Sequence, residues 1–139
     1  ANMGIVAACV TFLFGSLRVN SLGVNVVLLI GAAKMMIPVY LKHLIIAIPL
    51  TINGVICGII AYILKIKGTA LSAGFGYTGL VGPINALNRM SGNPSMNIIL
   101  LIIGYFVIPF AGAFIVHKIC KKVLSTYSDE IYKFEISKD

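Results

Sequence analysis

Four long apolar runs alternate with short polar breaks along the chain, at residues 3–17, 22–41, 44–64 and 98–116. Because a helix rises about 1.5 Å per residue, a membrane span needs roughly 20 apolar residues. The last three runs reach or approach that length, whereas the first is short and stops at Arg18. The chain also starts inside the first run without an initiator methionine. We therefore expect it to be the C-terminal portion of a longer protein.

Two of the runs contain residues that disturb a regular helix. The run at 22–41 carries Lys34 and Pro38, which predicts a kinked span whose ammonium group lies at the membrane surface or in a polar interior. The run at 98–116 contains Pro109, which predicts a second kink. We expect both runs to cross the membrane.

The run at 44–64 carries no charge and predicts one of the two clearest spans. Gly54 and Gly58 lie four residues apart on one helix face, a spacing that lets another helix approach closely. Asn53 is the one amide side chain in this run. Because a buried amide needs hydrogen-bond partners, Asn53 predicts either a bond to a neighbouring helix or a contact with a ligand.

Composition and charge placement both indicate a membrane protein. Hydrophobic residues make up 59% of the chain and charged residues 11%, against roughly 45–50% and about 25% in soluble domains. The acidic residues all lie in the last eleven positions, as Asp129, Glu130, Glu135 and Asp139. The net charge of +7 comes from basic residues at the ends of apolar runs, which is typical of the positive-inside bias rather than of nucleic-acid binding. We predict a transmembrane bundle over residues 1–117 and a cytoplasmic tail over 118–139, with a short surface helix or a partly ordered end.

A glycine-rich segment at residues 68–92 separates the third run from the last. Its Gly74-x-Gly76-x-x-Gly79 spacing would indicate a dinucleotide site in a soluble enzyme, but that site needs a preceding strand, and here a membrane run precedes it. The glycines and Pro83 instead predict a broken or re-entrant element, whose backbone must be satisfied by protein or by a polar cavity. The alternative is that the glycines only allow close helix packing.

Two topologies are open for this segment. If Lys65, Lys67 and the basic cluster at 118–122 all face the cytoplasm, the chain must cross the membrane once between them. If Lys65 faces outward, the segment is a hairpin that returns to its own side.

Residues 51–90, TINGVICGIIAYILKIKGTALSAGFGYTGLVGPINALNRM, resemble part of a bacterial membrane family related to the IIC permease subunits of the phosphoenolpyruvate-dependent sugar phosphotransferase system. The shared feature is a small-residue helix that runs into an SAGFG(F/Y)(S/T)GLVGPINAL loop. The resemblance implies a polytopic inner-membrane protein that binds a sugar while a cytoplasmic IIB partner donates the phosphoryl group. Sugar-transporting members use a membrane-embedded glutamate, usually with a histidine, but this chain has no carboxylate before Asp129.

We predict an all-α polytopic membrane protein with about four transmembrane helices, several of them kinked, and one glycine-rich broken or re-entrant element. A neutral polyol is best bound by groups that both donate and accept hydrogen bonds, such as amides. The candidate substrate-binding residues are Asn85, Asn88, Asn53, Ser72, Gly74, Gly76 and Thr78. We predict no catalytic residue, cofactor or metal site in this chain.

The predicted function is a transporter subunit of the IIC type, with membrane lipid, a small polar solute such as a sugar, and a IIB protein as partners. The alternative is a non-transporting membrane regulator or sensor that binds a small or lipid-like ligand. The sequence leaves the oligomeric state open, with a homo-oligomer as one alternative.

Overall fold

The computed structural model describes residues 2–30, 32–70, 72, 74–75 and 78–134. These residues form helices and turns without a β-strand, which confirms the all-α prediction. The α-helices are α1 (Asn2–Ser16), α2 (Leu22–Ile30), α3 (Ile37–Lys42), α4 (Ala47–Ile63), α5 (Val81–Arg89), α6 (Pro94–Ile102) and α7 (Ile108–Val123). Short 3-10 helices lie at Ala33–Met36, Leu44–Ile46, Thr78–Leu80 and Asp129–Tyr132, and a π-helical turn lies at Ile103–Val107.

Helix α1 is the centre of the fold and packs against both α4 and α7. Most of its side chains are buried, on every face of the helix. Asn2 contacts Tyr105, and the Phe14 ring contacts the Phe114 ring, so α1 runs parallel to the last helix. Asn53, in the middle of α4, contacts Pro109. Leu64 and Ile66, which follow the end of α4, lie near Gly104. Helix α4 is therefore antiparallel to the other two.

Two stretches are long and apolar enough to cross a membrane, Leu44–Ile63 with 20 residues and Pro94–Val123 with 30 residues. The first run forms the buried 15-residue helix α1. The run at 22–41 does not form the single kinked span that we expected, because it is divided into α2, a 3-10 turn and α3. Pro38 explains the break before α3. In a continuous helix its ring would clash with the carbonyl group of Lys34, four residues earlier. Pro38 lies in the first turn of α3 instead.

Each of the five prolines lies in the first turn of a helix, where a missing N–H group is tolerated. Pro83 lies near the start of α5, as the sequence predicts. Pro109 lies in the first turn of α7, directly after the π-helical turn. The helix continues from Pro94 to Val123 through this site. A π-helical turn beside a proline is a usual site of a bend, and the kink stays a prediction.

Helix α4 ends in a Schellman motif that contains a lysine at the left-handed position. Ile66 N donates to Ala61 O at 3.0 Å, and Lys65 N donates to Tyr62 O at 3.1 Å. Lys65 has a φ of 52°, a conformation that glycine adopts readily and that costs other residues about 1 kcal/mol.

Replacing Lys65 with glycine is therefore expected to raise the free energy of unfolding by about 0.5–1 kcal/mol. Thermal unfolding in detergent measures the change. Lys67→Gly is the matched control, because Lys67 is not among the residues of positive φ and gains nothing from the substitution. Equal effects of both variants would contradict this account of the helix end.

The end of α4 and the start of α6 lie at the same end of the bundle. Ile66, just beyond α4, lies near Gly104. The 30-residue helix begins at Pro94, ten residues before Gly104, and so starts at this same end of the bundle. The described residues between α4 and Thr78 form turns and segments without regular secondary structure. This placement favours the hairpin alternative, with Lys65 and the 118–122 cluster at opposite ends. Re-entry into the bilayer stays a prediction.

The C-terminal segment folds back onto the bundle. Helix α7 continues to Val123, so the predicted boundary at residue 117 falls inside a helix. Tyr132 is fully buried, and its ring lies where a side chain at Gly15 would be. Asn20 Nδ2 donates to Tyr132 O at 2.7 Å. Tyr127, Ile131 and Tyr132 of this segment are therefore part of the core, and its cytoplasmic position stays a prediction.

A hydrogen-bonded chain closes the same end of the bundle. Tyr132 Oη lies 2.6 Å from Tyr127 Oη, which lies 2.8 Å from His117 Nδ1, and His117 Nε2 lies 2.9 Å from Asp129 Oδ1. Burial raises the pKa of Tyr127 to about 12. Burial also acts to raise the pKa of Asp129, but hydrogen bonds from Lys121 and His117 outweigh it and hold that pKa below its usual range. Asp129 is therefore ionised at neutral pH and accepts from both groups.

Candidate functional site

A cleft of about 480 Å³ lies between the start of α1, the second half of α4, residues 66–70 and Ser72. Its size is within the usual range of small-molecule sites. Its apolar wall includes Met3, Ala61 and Ile66. The polar side chains that line it belong to Asn2, Lys67, Thr69, Ser72 and Tyr105. The cleft thus combines an apolar wall with hydroxyl, amide and ammonium groups.

A tight turn holds Ser72 at the cleft. Thr69 N donates to Ser72 Oγ at 3.1 Å, and Ser72 Oγ donates to Thr69 O at 3.0 Å. Ser72 is only 2% exposed. Ser and Thr side chains stabilise such turns by replacing backbone hydrogen bonds. The turn fixes both hydroxyl groups without a helix or strand.

Asn2 and Tyr105 form the opposite polar wall. Asn2 Nδ2 donates to Tyr105 Oη at 3.0 Å, which joins the start of α1 to the π-helical turn. Asn2 Oδ1 is buried and has no hydrogen-bond partner among the described residues. A buried acceptor without a protein partner is unusual, and here it belongs to a residue that lines the cleft.

Gly54 and Gly58 line the cleft, and the prediction that they form a helix contact is wrong. A Cβ atom added to either residue would meet no neighbouring atom within 4 Å. The close contact involves Gly112 instead, where an added Cβ would collide with the Asn53 side chain. Small residues on α4 therefore shape a cleft, whereas the helix contact depends on a small residue in α7.

Asn53 lies in this helix contact and not in the cleft. Its Nδ2 lies 3.0 Å from Thr11 Oγ1, 3.2 Å from Ala7 O and 3.4 Å from Pro109 O. The residue is fully buried. These partners account for the amide donor and favour the helix-to-helix alternative for Asn53.

The other sequence-predicted residues do not converge on one site. Asn85 and Asn88 lie on α5, where Asn88 is exposed and Asn85 is half-buried with an unpartnered Oδ1 among the described residues. Gly74 lines a separate cleft with Lys34 and Tyr40. Thr78 is exposed at the start of a 3-10 turn, and Gly76 lies outside the described residues. Of the six candidates in the described part of the chain, only Ser72 lines the cleft of about 480 Å³.

Sequence reasoning missed Asn2, Tyr105, Thr69 and Lys67 as residues of this cleft. The Thr69-x-x-Ser72 spacing is a recognisable turn signal, and it would have added Thr69. Asn2 and Tyr105 are 103 positions apart, and nothing in their local sequence indicates that they meet.

The fold and the cleft define a helical protein with two long apolar helices and a polar cleft beside them. The family model described as phosphotransferase system, EIIC, matches residues 1–134, and the chain belongs to this family. No curated protein and no solved structure matches the chain. The family is membrane-integral and supports a permease-like role in the phosphotransferase system.

Proposed function

We propose that this chain is the part of a phosphotransferase-type permease that binds a small polar solute, a sugar or a related polyol, in the cleft between α1, α4, residues 66–70 and Ser72. The observation that carries the proposal is a cleft of ligand size whose polar lining is mostly uncharged. Hydroxyl and amide groups both donate and accept hydrogen bonds, so they bind a polyol without the desolvation cost of a buried charge.

The chemistry of the cleft supports binding rather than phosphoryl transfer. The chain has no carboxylate before Asp129, and a general base must lie within hydrogen-bonding distance of the hydroxyl that it activates. Asp129 is held at the other end of the bundle by Lys121 and His117. In this proposal the activating group and the phosphoryl donor, a IIB partner, come from outside these residues.

The distribution of basic residues supports a cytoplasmic position for the 118–122 cluster. In the described part of the chain, three basic residues lie towards the end of the bundle that carries the cleft: Lys65 and Lys67 after α4, and Arg89 in the last turn of α5. Six lie towards the opposite end: Arg18, Lys42, Lys118, Lys121, Lys122 and Lys133. The positive-inside rule supports a cytoplasmic position for the second end, and in this proposal the solute site then lies in the outer half of the bundle.

The Gly58→Leu variant tests the site. Because an added side chain at Gly58 enters open space, the variant is expected to keep the parent's unfolding temperature in detergent. The same side chain occupies the cleft, so the rise in unfolding temperature that a bound hexose or hexitol gives the parent is expected to disappear.

Two further variants complete this test. Gly112→Leu should unfold at a much lower temperature, because its Cβ has no space beside Asn53. Asn85→Leu is expected to respond to the solute as the parent does, since Asn85 does not line the cleft. Retained solute stabilisation in Gly58→Leu would refute the proposed site, and its loss in Asn85→Leu alone would move the site to α5.

A further inference from the structure

A second cleft, of about 430 Å³, lies between α1 and α7 at the opposite end of the bundle from the proposed solute site. Its apolar lining consists of Phe14, Leu17 and Phe114. Its basic lining consists of Arg18, Lys118 and Lys121, with His117 beside them. Phe14 and Phe114 are in ring contact, with centroids 6.0 Å apart. One cleft therefore joins an aromatic floor to a basic rim.

The positive charge of this rim is only partly compensated. Lys121 Nζ donates to Asp129 Oδ2 at 2.7 Å, which pairs Lys121. Arg18 lies 3.8 Å from the same oxygen, and its side chain is 80% exposed. Lys118 Nζ lies over the Phe114 ring, 5.0 Å from its centroid. Asp129 therefore compensates Lys121 and in part Arg18, whereas Lys118 contacts an aromatic ring.

The position of the cleft indicates what would reach it. Ile115, Ile119 and Val123 of α7 are exposed, so the outer surface of this helix is apolar up to its end. The basic residues begin where α1 ends and where the last turns of α7 lie. Basic residues beside apolar helix ends lie at headgroup depth in a bilayer, where grooves between helices bind lipid headgroups.

We propose that this cleft binds an anionic phospholipid, with the phosphate at Arg18 and Lys118 and an acyl chain along Phe14, Leu17 and Phe114. The guanidinium group of Arg18 supplies several donors to phosphate oxygens, and Lys118 adds a point charge. The apolar side chains of the cleft contact the acyl chain of the lipid, and a free anion such as phosphate has no such group. The ligand differs from the proposed solute, and the site does not depend on the solute cleft.

The test uses the purified chain in a neutral detergent, with phosphatidylglycerol, phosphatidylcholine or inorganic phosphate added. Phosphatidylglycerol is expected to raise the unfolding temperature of the parent, whereas phosphatidylcholine and inorganic phosphate are not. Native mass spectrometry gives the dissociation constant of the lipid. In Arg18→Gln/Lys118→Gln we expect roughly thirtyfold weaker binding, about fivefold for each basic residue at the headgroup.

Lys122→Gln is the matched control, because Lys122 is exposed on α7 but does not line the cleft. It should bind phosphatidylglycerol within about twofold of the parent. If the double variant fails to fold, Lys118→Gln alone carries the test, with about fivefold weaker binding expected. Unchanged binding in the cleft variants, or an equal loss in Lys122→Gln, would overturn the proposal. Equal stabilisation by inorganic phosphate would show a soluble anion site and overturn the lipid assignment.

Discussion

Replacing Tyr132 with alanine is expected to lower the free energy of unfolding by about 3–5 kcal/mol. Its ring is fully buried and packs edge to face against Phe12 and Tyr127. The Tyr132 ring fills the space beside Gly15. Removal of the ring therefore opens a cavity against α1. The loss also removes the hydroxyl that bonds to Tyr127 Oη. Chemical or thermal unfolding in detergent measures the change.

Tyr132→Phe is the control that separates the ring from the hydroxyl. This variant keeps the buried ring and loses one hydrogen bond, so we expect a loss of only about 1 kcal/mol. If Tyr132→Ala unfolds like the parent, the C-terminal segment does not stabilise the bundle, and its packing against α1 is wrong.

Replacing Asn53 with leucine is expected to cost about 1–3 kcal/mol of stability. The substitution removes the donor that bridges α1 to the start of α7 and leaves Pro109 O without that partner. It also puts a branched side chain beside Gly112, where there is no spare space. A solute that binds in the cleft lined by Gly58 should still stabilise the Asn53→Leu variant, because Asn53 does not line that cleft.

Asn88→Leu is the matched control for Asn53, since Asn88 is an exposed asparagine on α5. Its unfolding free energy should stay within about 0.5 kcal/mol of the parent. If both substitutions have equally small effects, the helix-to-helix hydrogen bonds of Asn53 contribute nothing measurable. Loss of solute binding in a folded Asn53→Leu variant would instead restore the ligand alternative for this residue.

The helices that the sequence predicts best are those whose apolar runs carry no charge. The run at 44–64 became α4 with its preceding turn, because its one proline lies in the first turn of the helix. The run at 22–41 was not predicted correctly, since periodicity does not show whether a proline bends one helix or begins another. Pro109 was expected to kink its helix, and the π-helical turn directly before α7 is a feature that the sequence did not indicate.

The candidate site was harder to predict than the helices. Ser72 was identified because the glycine-rich segment indicates unwound backbone, and local sequence contains that signal. Gly54 and Gly58 show the limit of such reasoning, because small residues allow a helix contact and an open cleft equally well. Which of the two occurs depends on the position of α1, and contacts between residues as distant as Asn2 and Tyr105 leave no local pattern.

Ligand protection of a single cysteine tests the solute site most directly. Gly58→Cys, in a background without Cys9, Cys57 and Cys120, places a thiol in the wall of the cleft. A hexose or hexitol that binds there is expected to slow its labelling by a methanethiosulfonate reagent. Asn88→Cys, at an exposed polar position on α5 outside the cleft, should be labelled at the same rate with or without the solute. A solute that stabilises the protein but leaves the Gly58→Cys rate unchanged would contradict the account.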